Sequence, residues 1–179
     1  MAGEAAPRRV LLVGFMASGK TSVGRELAAL LEWQFHDFDS VIEDRAGVAV
    51  SEIFDREGEE HFRRLESKVA GELLALEHAV LATGGGWPAQ PGSWEAVSEG
   101  TLSVWLRVSP GVAVRRASSE GPVRPLLAGE DPLGRARELV EQREGSYRRA
   151  QIALDSDKDD PATLATRIMK IVRGEADRG

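Results

Sequence analysis

A short apolar run and the glycine-containing segment after it restrict this chain to few folds. Val10 to Val13 are four consecutive apolar residues, a pattern typical of a strand buried on both faces of a parallel sheet. The segment from Gly14 to Thr21, GFMASGKT, follows directly and fits the pattern G-x-x-x-x-G-K-S/T. Apolar residues then recur at helical spacing: Val23, Leu27, Leu30 and Leu31. A strand, a glycine loop and a helix in this order predict a loop that binds nucleotide phosphates.

The residue types of this loop have separate roles in binding an anion. Its glycines let the backbone curl so that successive N–H groups face a phosphate, and the start of the helix adds positive potential. Lys20 is placed to reach the terminal phosphates, and the hydroxyl of Thr21 suits Mg²⁺. A purely structural glycine turn is the alternative, and the strand-loop-helix context disfavours it. The predicted nucleotide contacts are Gly14, Ala17, Ser18, Gly19, Lys20, Thr21 and Ser22.

Strands and helices alternate along the rest of the chain. Further strands are predicted at residues 34–37, 79–82, 102–106 and 152–154. Helices are predicted through Ile53 and Phe54, capped by Ser51, then at 59–76 and 133–150, and from Pro161 onward. Residues 118–132 contain Gly, Pro and Ser without sustained periodicity, which predicts a mobile loop. The alternation predicts an α/β fold in which helices cover both faces of a parallel sheet.

The composition excludes several classes of protein. With 179 residues, 42% apolar and 29% charged, the chain suffices for one folded domain and differs from disordered sequences. Its net charge of −6 gives no support to binding of duplex nucleic acid. The absence of cysteine excludes disulfides and thiol chemistry, and no apolar stretch has the length of a membrane span. We expect a cytoplasmic monomer that binds small molecules and neither nucleic acid nor membrane.

Two aspartates stand at the end of the second predicted strand, in the segment His36-Asp37-Phe38-Asp39. Strand ends of a parallel sheet open onto the ligand crevice, and alternation places both carboxylates on one side if the strand continues to Asp39. One carboxylate can then hold a metal-bound water while the other orients a hydroxyl nucleophile. Alternatively, Asp39 caps a helix from Val41 to Arg45.

A phosphate loop alone does not distinguish a GTPase, an ATPase motor and a small-molecule kinase. Five more segments accompany GFMASGKT in order: DFD, FDREGEEHFRRLE, GGG, VRPLL and REGSYRR. Together the six segments resemble shikimate kinases, and the likeness runs from about Val10 to Ile171. The resemblance implies an α/β, three-layer P-loop kinase fold with a five-stranded parallel sheet. It also implies one kinase domain over residues 1–179, with a phosphate loop at 14–21, a helical substrate-binding region at about 39–66 and a mobile lid at about 118–132.

The same resemblance implies which residues hold the acceptor. Asp39 contacts the hydroxyl groups of shikimate, while Arg63 and Arg143 grip its carboxylate. A planar guanidinium suits bidentate pairing with a carboxylate, so two arginines can bind an anion despite the negative net charge. Backbone N–H groups of Gly84, Gly85 and Gly86 face the substrate, where only glycine permits close approach.

The resemblance also implies the reaction and the residues that carry it. ATP phosphorylates shikimate to 3-phosphoshikimate on the route to chorismate and the aromatic amino acids. Lys20, Asp39 and Arg124 are the implied catalytic residues, with Arg124 closing onto the phosphates as part of the lid. Arg116 lies against adenine. Mg²⁺ is the implied cofactor, held by Thr21 and Asp37.

Several positions depart from the pattern of the family. Thr21 and Ser22 replace the commoner Ser-Thr pair, which keeps a hydroxyl group for the metal. Phe38 stands between the two aspartates where a small polar residue is usual, and Trp87 follows the glycine triplet where a small aliphatic one is usual. Either the Trp87 indole lies at the wall of the substrate pocket, or it packs beneath the loop.

Two other functions are compatible with a phosphate loop. A kinase of another polyol acid, such as gluconate, predicts neither the Arg63 and Arg143 pair nor the glycine triplet, and both are present. A nucleotide-binding regulatory module without catalysis predicts loss of Lys20 or Asp39, and both remain. The sequence therefore favours shikimate phosphorylation.

Overall fold

A parallel sheet of five strands organises the structure, a computed structural model in which residues 6–119 and 125–175 are described. The strands are β1 (Arg9–Val13), β2 (Gln34–Asp37), β3 (Ala79–Ala82), β4 (Thr101–Arg107) and β5 (Ile152–Asp155). Their order across the sheet is β2-β3-β1-β4-β5, and every pairing is parallel. The central strand β1 is buried along its whole length, as the apolar run predicts.

Helices cover both faces of the sheet. They are α1 (Lys20–Leu31), α2 (Phe38–Ala46), α3 (Val50–Leu73), α4 (Pro110–Ser119), α5 (Pro132–Tyr147) and α6 (Pro161–Val172). Side chains of β1 alternate between the faces: Val10 and Leu12 pack in a core with α1 and α6, and Leu11 and Val13 in one with α2 and α3. The predicted three-layer α/β fold with five parallel strands is confirmed. No helix within the described ranges is long and apolar enough to cross a membrane.

The order of the strands brings three functional segments to one edge of the sheet. In the register, Ala82 at the end of β3 lies beside both Leu12 of β1 and Asp37 of β2. The phosphate loop follows β1, and the glycine triplet at residues 84–86 follows β3. Carboxyl ends of parallel strands form the ligand crevice in such sheets, so these segments share one site.

The strand β2 ends where it was predicted to end and does not continue to Asp39. The strand ends at Asp37, and α2 begins at Phe38. The carboxylate of Asp37 accepts hydrogen bonds from the backbone N–H groups of Asp39, at 3.0 Å, and Ser40, at 3.2 Å. Both proposals for Asp39, strand alternation and helix capping, are therefore wrong: Asp37 is the cap, and Asp39 lies in the first turn of the helix.

The helices that follow differ from their predicted bounds. α3 begins at Val50 after Ala49, which makes no side-chain cap, so the predicted capping by Ser51 is wrong. Gly58, with φ 82° and ψ 170°, interrupts α3 close to the predicted start of the second helix, and α3 ends at Leu73 rather than Leu76.

The pattern analysis missed α4 altogether. The helix has a start signal in Ser109-Pro110, because the hydroxyl of Ser109 accepts a hydrogen bond from the N–H of Val112 and proline is favoured in the first turn. Ser118 and Ser119, predicted within a loop, form its last turn. Beyond the gap in the described residues, Pro125–Leu127 forms a turn of 3₁₀-helix before α5.

Candidate active site

The phosphate loop has a backbone conformation that only some residues adopt. Gly14 has φ +148°, and a Cβ atom there would lie 2.5 Å from the carbonyl oxygen of Leu106 in the neighbouring strand. Gly19 has φ +89°, and Ala17 adopts the left-handed region at φ 57°. The loop therefore wraps closely around the end of β1 and leads into the N-terminus of α1, where helix N–H groups have no intrahelical acceptor.

Lys20 is the first residue of α1, and its side chain folds over the loop. The ammonium donates hydrogen bonds to the carbonyl oxygens of Gly14, at 2.8 Å, and Phe15, at 2.9 Å, and it is 3.5 Å from the hydroxyl of Ser18. Lys20 is 9% exposed. The cation is thus held where anionic phosphates would meet the loop.

Thr21 and Asp37 connect the phosphate loop to the end of β2. The hydroxyl of Thr21 donates a 2.8 Å hydrogen bond to the carboxylate of Asp37, whose other oxygen caps α2. Hydroxyl and carboxylate oxygens are the ligand types that suit Mg²⁺, which keeps several waters and binds few protein groups when phosphates are present. The described residues contain no group of three or more His, Asp or Glu arranged as a metal cage. The pair therefore fits Mg²⁺ bound together with a nucleotide.

The three glycines after β3 are each in close contact with a different polar group. A Cβ atom at Gly84 would collide with Glu66 Oε1 and lie 3.3 Å from Asp39 Oδ1. At Gly86 it would lie 2.7 Å from Arg63 Nη2. Glycine is required at Gly84 and Gly86 because these side chains occupy the space that a Cβ atom would need.

Gly85 links the triplet to the phosphate loop. A Cβ atom at Gly85 would lie 3.5 Å from the carbonyl oxygen of Gly14 and 3.7 Å from Arg143 Nη1. The triplet therefore stands between the phosphate loop and the polar groups of α2, α3 and α5. A molecule bound at the triplet lies next to the loop.

A cavity of about 150 Å³ opens at this place. Asp39, Arg63, Arg143 and the glycine triplet line its polar part, and Phe54 contributes to its apolar part. The triplet, an aspartate and two arginines converge on one small space from four separate parts of the chain. This combination suits a small anion that carries hydroxyl groups.

Glu66 is a residue of this site that the sequence analysis missed. Its side chain is 1% exposed, and Oε2 accepts a 2.7 Å hydrogen bond from Arg63 Nη1. Among the described residues, Oε1 has no hydrogen-bond partner. Burial raises the pKa of Glu66 to about 7, against the opposing effect of Arg63, and the negative charge of Asp39 raises it further. The sequence does contain one signal for the pairing of Glu66 with Arg63, because residues three apart share one face of a helix.

A model of the family described as "Shikimate kinase" matches residues 16–173 of the chain. The chain belongs to the shikimate kinase family. A shikimate kinase of Moorella thermoacetica is 41% identical over 167 residues, covering 93% of this chain and 95% of the relative. Another, of Synechococcus sp. strain RCC307, is 39% identical over 91% of this chain and 83% of its own length.

Solved structures agree with this membership. Shikimate kinase of Acinetobacter baumannii, in complex with shikimate, superposes with a TM-score of 0.88 at 35% identity, covering 96% of this chain and 95% of the other. A gluconokinase of Sinorhizobium meliloti superposes with a TM-score of 0.58 at 17% identity, which shows a shared fold alone.

Most residues that the shikimate kinase resemblance singled out meet at this crevice. Asp39, Arg63, Arg143 and the triplet line the cavity, and Lys20 and Thr21 lie at the phosphate loop. Ser18 is buried in the loop, whereas Ser22 is exposed on α1. Arg124 lies outside the described residues, as does part of the predicted lid.

Arg116 lies beside the phosphate loop. Its guanidinium donates to the carbonyl oxygens of Ala17, at 3.3 Å, and Ser156, at 2.6 Å. It therefore joins α4 to the loop and to the segment after β5.

Trp87 does not line the cavity. Its side chain is 2% exposed and packs edge-on against Phe38, with ring centroids 5.6 Å apart. Of the two positions considered, the one at the pocket wall is wrong, and the indole packs beneath the loop. Phe38 is fully buried beside it, so these two of the departures from the family pattern lie together in the core.

Proposed function

We propose that this protein transfers the γ-phosphoryl group of ATP to a hydroxyl group of shikimate, giving 3-phosphoshikimate and ADP. The observation that carries the proposal is the position of Gly85, whose surroundings include both Gly14 of the phosphate loop and Arg143 of the cavity. A nucleotide on the loop and an acceptor in the cavity are then adjacent, as direct phosphoryl transfer requires.

Two arginines favour an acceptor that carries a carboxylate. Arg63 and Arg143 come from different helices, α3 and α5, and both line the cavity. Arg63 is oriented by Glu66 and by Glu59, whose carboxylate lies 3.2 Å from its Nη2, while its Nε is buried without a hydrogen-bond partner among the described residues. The buried Nε–H group of Arg63 would gain a hydrogen-bond partner when the carboxylate of the substrate binds.

Asp39 is the proposed partner of the reacting hydroxyl group. It lines the cavity on the side of Gly84, in the first turn of α2. Its carboxylate orients the hydroxyl for in-line attack and takes up its proton as the oxygen–phosphorus bond forms and ADP departs.

Lys20 and Arg124 offset the charge on the transferring group. Lys20 is already held over the loop by the carbonyl oxygens of Gly14 and Phe15, so little reorganisation is needed to meet a phosphate. Arg124 belongs to the proposed lid at about 118–132, which closes over the phosphates. Thr21 and Asp37 would hold Mg²⁺, which supplies neutralising charge to the phosphates when bound.

The proposal extends to the context in which the protein acts. It is a single kinase domain, residues 1–179, in which residues 14–21 bind phosphate and residues 39–66 bind the acceptor. Arg116 stands beside the adenine. The protein acts as a cytoplasmic monomer on ATP and shikimate and has no nucleic-acid or membrane partner.

A coupled assay of ADP release tests this function directly. Purified protein with ATP and Mg²⁺ is offered shikimate, gluconate or no acceptor. ADP release that depends on shikimate supports the proposal, and release that depends on gluconate replaces it with a related kinase. ATP binding without release above the acceptor-free rate favours a regulatory module.

A further inference from the structure

The phenol of Tyr147 is hydrogen-bonded to the glycine triplet and lies near one of the arginines of the cavity. Tyr147 is the only tyrosine in the sequence and lies one helical turn after Arg143 on α5. It is 1% exposed, and its ring packs against Trp105 with centroids 5.9 Å apart. The ring is therefore fixed by the core, and its hydroxyl group is the part that reaches the site.

That hydroxyl group is hydrogen-bonded to the glycine triplet. It donates a 2.6 Å hydrogen bond to the carbonyl oxygen of Gly85. The positive charge of Arg143 lies close enough to the phenol to lower its pKa, against the larger effect of burial. Burial raises the pKa of Tyr147 to about 12, so the phenol stays protonated near neutral pH and keeps the proton that it donates.

The bond to Gly85 fixes more than one atom of the triplet. The carbonyl group of Gly85 and the N–H group of Gly86 belong to one planar trans peptide unit, so orienting the oxygen also orients the N–H on the opposite side. Glycine has little intrinsic preference for one backbone conformation, and an external contact is needed to select one. Tyr147 provides such a contact from 62 residues away.

We propose that Tyr147 is a positioning residue for the acceptor: its hydroxyl group holds the Gly85–Gly86 peptide, next to Arg143, in the arrangement that binds shikimate. This rests on the proposed function, in which those groups contact the acceptor. Tyr147 itself does not touch the reacting atoms. Tyr147 therefore contributes to the affinity for the acceptor and not to the rate of phosphoryl transfer.

Tyr147→Phe tests the proposal, because it removes the hydroxyl group and leaves the ring against Trp105. We expect KM and Kd for shikimate to rise about tenfold, with kcat reduced less than about threefold and KM for ATP unchanged. Ser93→Ala is the matched control, since the Ser93 hydroxyl is also buried and donates a 2.7 Å hydrogen bond to the carbonyl oxygen of Trp87 in the same loop. It should leave KM for shikimate within about twofold of the parent value.

A second measurement does not depend on the folding of the variant. Because the chain has one tyrosine, incorporation of 3-fluorotyrosine gives a single ¹⁹F resonance, which we expect to shift when shikimate saturates the parent protein. A resonance that does not move, or equal shikimate affinity in Tyr147→Phe and the parent, overturns the proposal while leaving the kinase function intact. A parent protein that neither binds nor phosphorylates shikimate overturns the proposed function and this inference together.

Discussion

Arg63 donates a 2.7 Å hydrogen bond to the buried carboxylate of Glu66, and the second oxygen of that carboxylate lies against Gly84. The arrangement has an electrostatic consequence. Glu66 holds the arginine in the cavity, yet its negative charge opposes the anionic acceptor that the arginine is proposed to bind. A pKa of about 7 lets Glu66 lose much of that charge near neutral pH.

Glu66→Gln should therefore change how stability depends on pH. The pKa of Glu66 is raised from 4.5 to about 7 in the folded state, so the folded protein holds the proton more tightly than the unfolded chain. The contribution of this group to the free energy of unfolding falls as pH rises from about 4.5 to 7. We expect the stability of the parent relative to Glu66→Gln to fall by about 3 kcal/mol over that range. Urea unfolding of both proteins at several pH values measures this difference in the free energy of unfolding.

Glu66→Gln also tests whether the charge of Glu66 weakens binding of shikimate. In the parent protein, KM for shikimate should rise above pH 7 as Glu66 becomes charged beside Arg63, Asp39 and Arg143. In Glu66→Gln this rise should flatten, because glutamine still accepts from Arg63 without titrating. Parallel pH profiles of KM in the two proteins would contradict a titrating Glu66.

Removal of either Arg63 or Arg143, the two arginines that line the cavity, should weaken binding of shikimate and not of ATP. Arg63→Ala or Arg143→Ala should cost about 2–5 kcal/mol in shikimate binding, because the carboxylate is left desolvated without its partner. ATP binding without acceptor should barely change. Arg64→Ala is the control, since Arg64 follows Arg63 on α3 but is exposed and paired with Glu60. Calorimetric titrations with each ligand measure these effects, and equal losses for both ligands would indicate misfolding instead.

Lys20→Met should lower kcat by about a hundredfold or more. The ammonium is held over the phosphate loop, where it stabilises the charge that develops between the transferring group and the departing ADP more than it stabilises bound ATP. The exposed Lys68 on α3 supplies a control, and Lys68→Met should keep the parent kcat. Near-normal turnover of Lys20→Met in steady-state kinetics would refute the proposed role of the loop.

The two aspartates should give different phenotypes. Asp39→Asn should lower kcat by about a hundredfold while weakening shikimate binding less, because asparagine keeps the shape but takes up no proton. Asp37→Asn should mainly raise the Mg²⁺ concentration needed for half-maximal activity, since asparagine can still cap α2. Magnesium titrations that do not distinguish the two variants would defeat this division of roles.

Trp87→Phe should affect stability more than catalysis. The indole is buried against Phe38 and does not line the cavity, so its truncation leaves unfilled space in the core. We expect the free energy of unfolding to fall by about 1–3 kcal/mol, with KM for shikimate within about twofold of the parent. Trp33→Phe, at a partly exposed position on the other face of the sheet, should cost less stability. A large rise in KM with unchanged stability would place Trp87 at the acceptor.

Where the predicted elements match the structure, the prediction rests on patterns of neighbouring residues. The run from Val10 to Val13 predicts a doubly buried strand because helices on both faces of a parallel sheet exclude polar residues there. The phosphate loop is equally predictable, since its function depends on consecutive residues and on backbone conformations that glycine permits. The placement of Asp39 was wrong because Asp37 suits both the end of a strand and a helix cap, and as a cap it starts α2 before Asp39.

The sequence by itself determined the α/β class, the phosphate loop and, through resemblance, which arginines and glycines to examine. Only the tertiary structure decided that Glu66 and Tyr147 belong to the site. A glutamate on a charged helix is ordinarily exposed, and neither its 1% exposure nor its contact with Gly84 follows from positions 63 to 66. The hydrogen bond from Tyr147 to Gly85 exists because α5 packs against the short 3₁₀-helix at Trp87–Ala89, which directly follows the glycine triplet. Such contacts join distant parts of the chain, and no local periodicity encodes them.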